Sequence, residues 1–163
     1  MEPEDQLALL VADVFELAGA LRSAGETIAA EVGQTQARWQ LLSVVSEGDW
    51  TVSDAARRLG ISRQAVQRVA DALVDEGLLR HADNPAHRRA PLLRLTTGGA
   101  RTLRAITRRS LAWRREVAAE LPSTAVADLR RGVRRLLALL EVDGRPGRER
   151  HVGHAEVIRD PAR

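Results

Sequence analysis

The segment 51–96, TVSDAARRLGISRQAVQRVADALVDEGLLRHADNPAHRRAPLLRLT, constrains the fold more than any other stretch of the chain. Two helical patterns meet at Leu59-Gly60-Ile61-Ser62, and a proline-containing hairpin pattern follows. Thr51, with Asp54 three residues on, is a capping-box start: hydroxyl and carboxylate each take up a backbone N–H that the first helical turn leaves unpaired. Gly60 ends that helix, where a left-handed residue is wanted. Ser62 caps a second helix that runs to about Glu76 and stops at Gly77. Ala55, Ala56 and Leu59 should pack on Val66, Val69 and Leu73, and the small alanines permit the close approach of a helix-turn-helix. So short a connection forces a steep crossing, which projects the second helix outward.

What that helix projects has a specific chemistry. Arg63, Gln64, Gln67 and Arg68 fall opposite its apolar face. Arg and Gln are the side chains that pair bidentately with guanine and adenine edges in the major groove. Arg63, Gln64 and Gln67 are therefore expected at base edges, and Arg68 at a base or a phosphate. Ser53, Arg57 and Ser62 are expected on the DNA backbone, Ser62 because N–H groups at a helix N-terminus attract anions. Downstream, Leu78–Ala82 and Pro91–Leu95 read as strands around an Asp83-Asn84-Pro85 turn. Pro91 suits only an edge strand, which a two-stranded hairpin supplies. Of the two arginines just past the turn, Arg88 should reach a narrow, electronegative minor groove. Arg89 should point inward and brace the hairpin.

Helical periodicity also marks both flanks. Residues 5–31 carry apolar positions from Leu7 to Ile28, with Gly19 and Gly25 as local weak points, and residues 35–47 form a second helix ended by Gly48. Thr96 or Thr97 caps a fifth helix to about Leu121. Pro122-Ser123 breaks it before a sixth, which reaches about Glu141. Residues 143–163, rich in Gly, Pro and Arg without periodicity, read as a disordered tail. The expected organisation is a terminal helix in 1–34, a DNA-binding helix-turn-helix with its hairpin in 35–96, two further helices in 97–142 and the tail beyond.

Charge is divided unevenly. Residues 1–56 hold two arginines against ten acids, a net of −8; residues 57–163 hold 23 arginines against twelve acids, a net of +11, and together these give the overall +3. All the basic residues are arginine, which a GC-rich genome would also produce, although its planar fork suits phosphate and guanine. An acidic half joined to a basic half suggests a polyanion partner on one face. Zero cysteines exclude disulfides, thiolate metal sites and cysteine redox sensing. No apolar run approaches the roughly 18 residues of a membrane span. The start, MEPEDQ, lacks the positive region of a secretory signal, so a cytoplasmic location is expected. No nucleophile elbow, phosphate loop or zinc-protease motif supports an enzyme, and nothing calls for a cofactor. His151 and His154 lack thiol company, and no metal site is expected there.

The run TVSDAARRLGISRQAVQRVADALVDEGLL followed by DNPAHRRAPLLRLTTGG resembles the MarR family of winged-helix regulators, with a match extending over about residues 35–121. The family's wing usually carries an Asp-Arg-Arg-Ala run; here His87 stands at the aspartate position, which alters any brace a carboxylate would give an arginine. The resemblance implies a mainly α protein: a winged helix-turn-helix with a two-stranded wing and a helical dimerisation region drawn from both termini. It further implies a homodimeric regulator of transcription, repressor or activator, often released from DNA by a small ligand. Two-fold symmetry would set two recognition helices on half-sites about 34 Å apart, hence a pseudo-palindromic operator. Independently of the family, helix one is apolar over more than one face, and helix six carries more leucine and valine than one side needs. In this family helices two and five border a ligand crevice. That makes Phe15, Trp39 and Trp113 candidates for holding a small aromatic or lipophilic effector, with core packing as the alternative role. The rival functional classes are a winged-helix protein-interaction module and a non-specific architectural DNA binder.

Overall fold

A computed structural model describes residues 2–122 and 124–142. Six helices and three short strands follow the order α1 (Pro3–Ala30), α2 (Gln36–Ser46), β1 (Trp50–Thr51), α3 (Val52–Leu59), α4 (Arg63–Asp75), β2 (Leu79–Ala82), β3 (Leu92–Leu95), α5 (Thr97–Ala119) and α6 (Ala125–Val142). Side-chain caps begin four of the helices. Thr35, Thr51, Ser62 and Thr96 each accept a backbone N–H from three residues downstream, supplying an acceptor that the first turn lacks. At Thr51 the capping box is complete, with Asp54 reaching back to the cap backbone. Gly60 closes α3 at φ 67°, a conformation that costs side chains with a Cβ but not glycine. α1 passes through Gly19 and Gly25 without a break.

The expected two-stranded wing is present as β2 and β3, and β1 extends the sheet beyond it. The sheet has three strands in the order β1-β3-β2, all antiparallel, with Thr51 opposite Leu92 and Leu79 opposite Leu95. The residues just before α3 thus pair with the hairpin's return strand and make it central. Pro91 escapes the usual conflict because it lies one residue ahead of β3, where no ladder N–H is needed. A two-residue strand has no periodicity to betray it in a sequence.

One core joins these elements. Leu41, Leu42, Val44 and Val45 of α2 meet Ala55 and Ala56 of α3, Val66, Ala70 and Leu73 of α4, Leu79 and Leu93 of the sheet, and Leu103 of α5. The anticipated α3–α4 packing is present, with Leu59 and Val69 at its half-buried margin. Ion pairs lie around this unit, Arg38 of α2 holding Glu76 at 2.7 Å and Arg109 of α5 holding Glu31 at 3.0 Å. Where α5 leaves the hairpin the packing is tighter still. A Cβ on Gly99 would stand 2.0 Å from the Leu78 carbonyl oxygen, so only glycine lets helix and strand approach this closely. Among the described residues, no helix is long and apolar enough to cross a membrane.

Candidate nucleic-acid interface

The helix-turn-helix is built so that packing decides what α4 shows. Val66, Ala70 and Leu73 are buried against α2 and α3, which turns Arg63, Gln64 and Arg68 to the outside, exposed, with Gln67 half-buried beside them. Ser62 spends its hydroxyl on Ala65 N at 3.1 Å, fixing the helix start. The Gln67 amide is not free: its Nε2 donates to Asp71 Oδ1 at 2.8 Å. All five positions named on and before this helix thus share one accessible end of α4, as their spacing indicated.

On α3, Ser53 is exposed, and Arg57 is exposed while ion-paired with Asp54. Asp54 is the hub of this corner. Its carboxylate accepts from the Thr51 hydroxyl at 2.6 Å and from Thr51 N at 3.3 Å, while Asp54 N donates back to Thr51 Oγ1 at 3.2 Å. The Thr51 hydroxyl is the main reason that the Asp54 carboxyl is held below the usual carboxylate range; partial burial opposes this, and Arg57 adds to it. A carboxylate kept ionised at the start of α3 suits the positive end of the helix dipole and orients the Arg57 guanidinium.

The hairpin tip, residues 83–91, carries Arg88 and Arg89. Both are exposed, and among the described residues neither forms an ion pair or side-chain hydrogen bond. Arg88 lies outward as expected. Arg89 does not turn inward: the bracing it was expected to provide is done by Asn84. The Asn84 Nδ2 donates to Ala90 O at 2.8 Å across the turn, and its Oδ1 accepts from Ala86 N at 3.1 Å and His87 N at 3.3 Å. A neutral amide thus ties the turn through backbone groups alone, and both arginines remain exposed. Sequence reasoning treated Asn84 only as a turn former; the Asn-Pro pair was the signal, since such side chains mimic a turn of backbone. His87 is exposed.

The effector candidates are scattered in exposure. Trp39 is half-buried against the core, Trp113 is half-buried on α5, and Phe15 is 74% exposed on α1. His151, His154 and the tail lie outside the described residues. Among the described residues, no group of three or more His, Cys, Asp or Glu is placed to hold a metal ion.

Two helices crossing at a glycine turn, a hairpin with a braced, arginine-bearing tip, and an outward Arg/Gln face define a winged helix-turn-helix protein. Sequence comparison agrees: the model of the MarR family matches residues 33–90. An uncharacterized protein of Mycobacterium tuberculosis is 52% identical over 139 residues, spanning 85% of this chain and 97% of that protein. The MarR family is thus matched over the winged-helix segment, residues 33–90. Among solved structures, the crystal structure of a MarR family transcription regulator superposes with a TM-score of 0.76 at 24% identity, covering 86% of this chain and 95% of that one. A MarR mutant from E. coli complexed with operator DNA gives 0.72 at 20% identity, covering 84% and 99%. At these identities the likeness concerns the fold.

Proposed function

We propose that the protein is a sequence-specific duplex-DNA-binding regulator of transcription that works as a homodimer, represses by occupying its operator, and is released by a small aromatic or lipophilic effector. The observation that carries this reading is the outward Arg63-Gln64-Gln67-Arg68 face of α4, with Gln67 half-buried in it, raised on a helix-turn-helix that holds Val66, Ala70 and Leu73 in the core. Arg63, Gln64 and Gln67 read base edges. Arg68, Ser53, Arg57 and Ser62 hold phosphates, and Arg88 and Arg89 enter the minor groove. Dimerisation is supported by the apolar side chains left exposed on α1 and α6, among them Leu9, Phe15, Leu129 and Leu139, since contiguous apolar surface of this kind marks an interface. Trp39 and Trp113 border the effector site; saturable quenching of tryptophan fluorescence by phenolic compounds supports that element, and no saturable response removes it.

Selection of bound duplexes from a random pool, using the full chain, tests the reading. An inverted repeat with half-sites about one helical turn apart should emerge. Against the selected duplex, Gln67→Ala should cost about 1–3 kcal/mol and relax the preference at one base pair. Arg57→Ala should weaken all sequences alike and lower the salt slope by about one unit. Enrichment of no sequence points to an architectural binder. No salt-dependent binding at all points to a protein-interaction module.

A further inference from the structure

Asp71 stands in the middle of the outward face of α4, one turn beyond Gln67 and flanked around the helix by Gln64, Gln67 and Arg68. A carboxylate there opposes the approach of phosphates, whose charge dominates binding to duplex DNA. Among the described residues no ion pair neutralises it, and its one hydrogen-bond partner is the Gln67 amide at 2.8 Å. An ionised carboxylate offers only acceptors, whereas a glutamine amide has an oxygen end and a nitrogen end. The bond therefore decides which end faces Asp71: the nitrogen. Half-burial of Gln67 limits the alternatives. What stays unspent on Gln67 is Oε1 and one N–H, a single acceptor beside a single donor. Adenine presents the matching N6 donor and N7 acceptor in the major groove, while guanine presents two acceptors, N7 and O6, and would need both N–H groups.

We propose that Asp71 is a positioning residue that locks the Gln67 amide in the orientation that accepts adenine and rejects guanine at one base pair of each half-site. The inference rests on the proposal that Gln67 reads base edges. The test measures dissociation constants of the full chain and its variants for the selected duplex and for a set with each base pair replaced in turn. Wild type should prefer adenine to guanine at one position by about tenfold or more. Asp71→Asn, which can accept as well as donate, should collapse that ratio to about threefold or less while tightening every duplex through the lost negative charge. Asp71→Glu, an acceptor of the same charge, should recover part of the ratio.

If Gln67→Ala flattens that position but Asp71→Asn leaves the adenine-to-guanine ratio intact, Asp71 does not position the amide and the inference fails alone. If Gln67→Ala flattens no position, base readout by Gln67 fails and takes the inference with it. Loss of a cytosine preference at another position in Asp71→Asn means that the carboxylate itself accepts from cytosine N4, which also overturns the proposal.

Discussion

Between α2 and the start of α5, large apolar side chains find cover: Leu42, Leu73 and Leu93 are each 0% exposed. Along the first two-thirds of α1 and the length of α6 they find almost none, with Leu17 at 56% and Leu129 at 64%. Both regions are leucine- and valine-rich, so hydrophobic content does not separate them. What separates them is whether the chain folds back on itself. The central region has a three-stranded sheet and three helices converging on one point; the terminal helices have a stripe and, among the described residues, no facing surface. The hydrophobic effect is roughly proportional to area removed from water, so the first region is stabilised by the chain alone and the second only by something added. Within the second region the two helices differ in charge, α1 being acidic and α6 carrying Arg130, Arg131, Arg134 and Arg135.

The comparison breaks most directly at Leu42. Leu42→Ala should lower unfolding free energy by about 3–5 kcal/mol, by loss of transfer energy and by the cavity left behind. Denaturant unfolding should show this loss at every protein concentration; a loss that vanishes on dilution would mean the central region is not self-sufficient. A smaller effect of a different kind is expected from Leu129→Asp with Leu140→Asp on α6. Dimer dissociation should strengthen at least a hundredfold, about 2.7 kcal/mol, while the fold of the central region survives. Sedimentation velocity reads the first and circular dichroism the second, and a dimer that persists at micromolar concentration counts against α6 as the interface.

The smallest expected effect lies at Asp54, within the central region. Its carboxyl is held low in the folded state, chiefly by the Thr51 hydroxyl. A group depressed on folding contributes stability above its unfolded value, near the ordinary carboxylate range, and that contribution is lost as pH falls through the lower folded value. Asp54→Asn should therefore cost about 1 kcal/mol at neutral pH, the usual value of a helix cap. The gap between variant and wild type should close below about pH 4. A gap that stays constant down to pH 2 would remove the charged form from the account.

Most of the central region was legible because its signals are local. Thr51, Gly60, Ser62 and Thr96 punctuate helices through bonds spanning three or four residues, and the apolar spacing of α3 and α4 fixes which sides meet. The misses are non-local or depend on conformation. Trp50 and Thr51 form a strand only because Leu92 and Leu93 arrive beside them from forty residues away. The direction of Arg89 follows from the shape of a nine-residue tip that Asn84 ties across six residues, and composition cannot supply that shape. Asp71 carries no signal in the sequence that sets it apart from other surface charges, since only the Gln67 contact gives it a role.

Thr96 ties the start of α5 to the base of the hairpin. Its hydroxyl donates to Gly77 O at 2.7 Å while accepting from Gly99 N at 3.0 Å, and Thr96 N donates to Leu78 O at 3.1 Å. With Gly99 pressed on Leu78 as well, the junction between α5 and β2 has no slack. α5 is thus fastened to the hairpin at its first turn, so that a displacement of that turn carries the base of the wing with it.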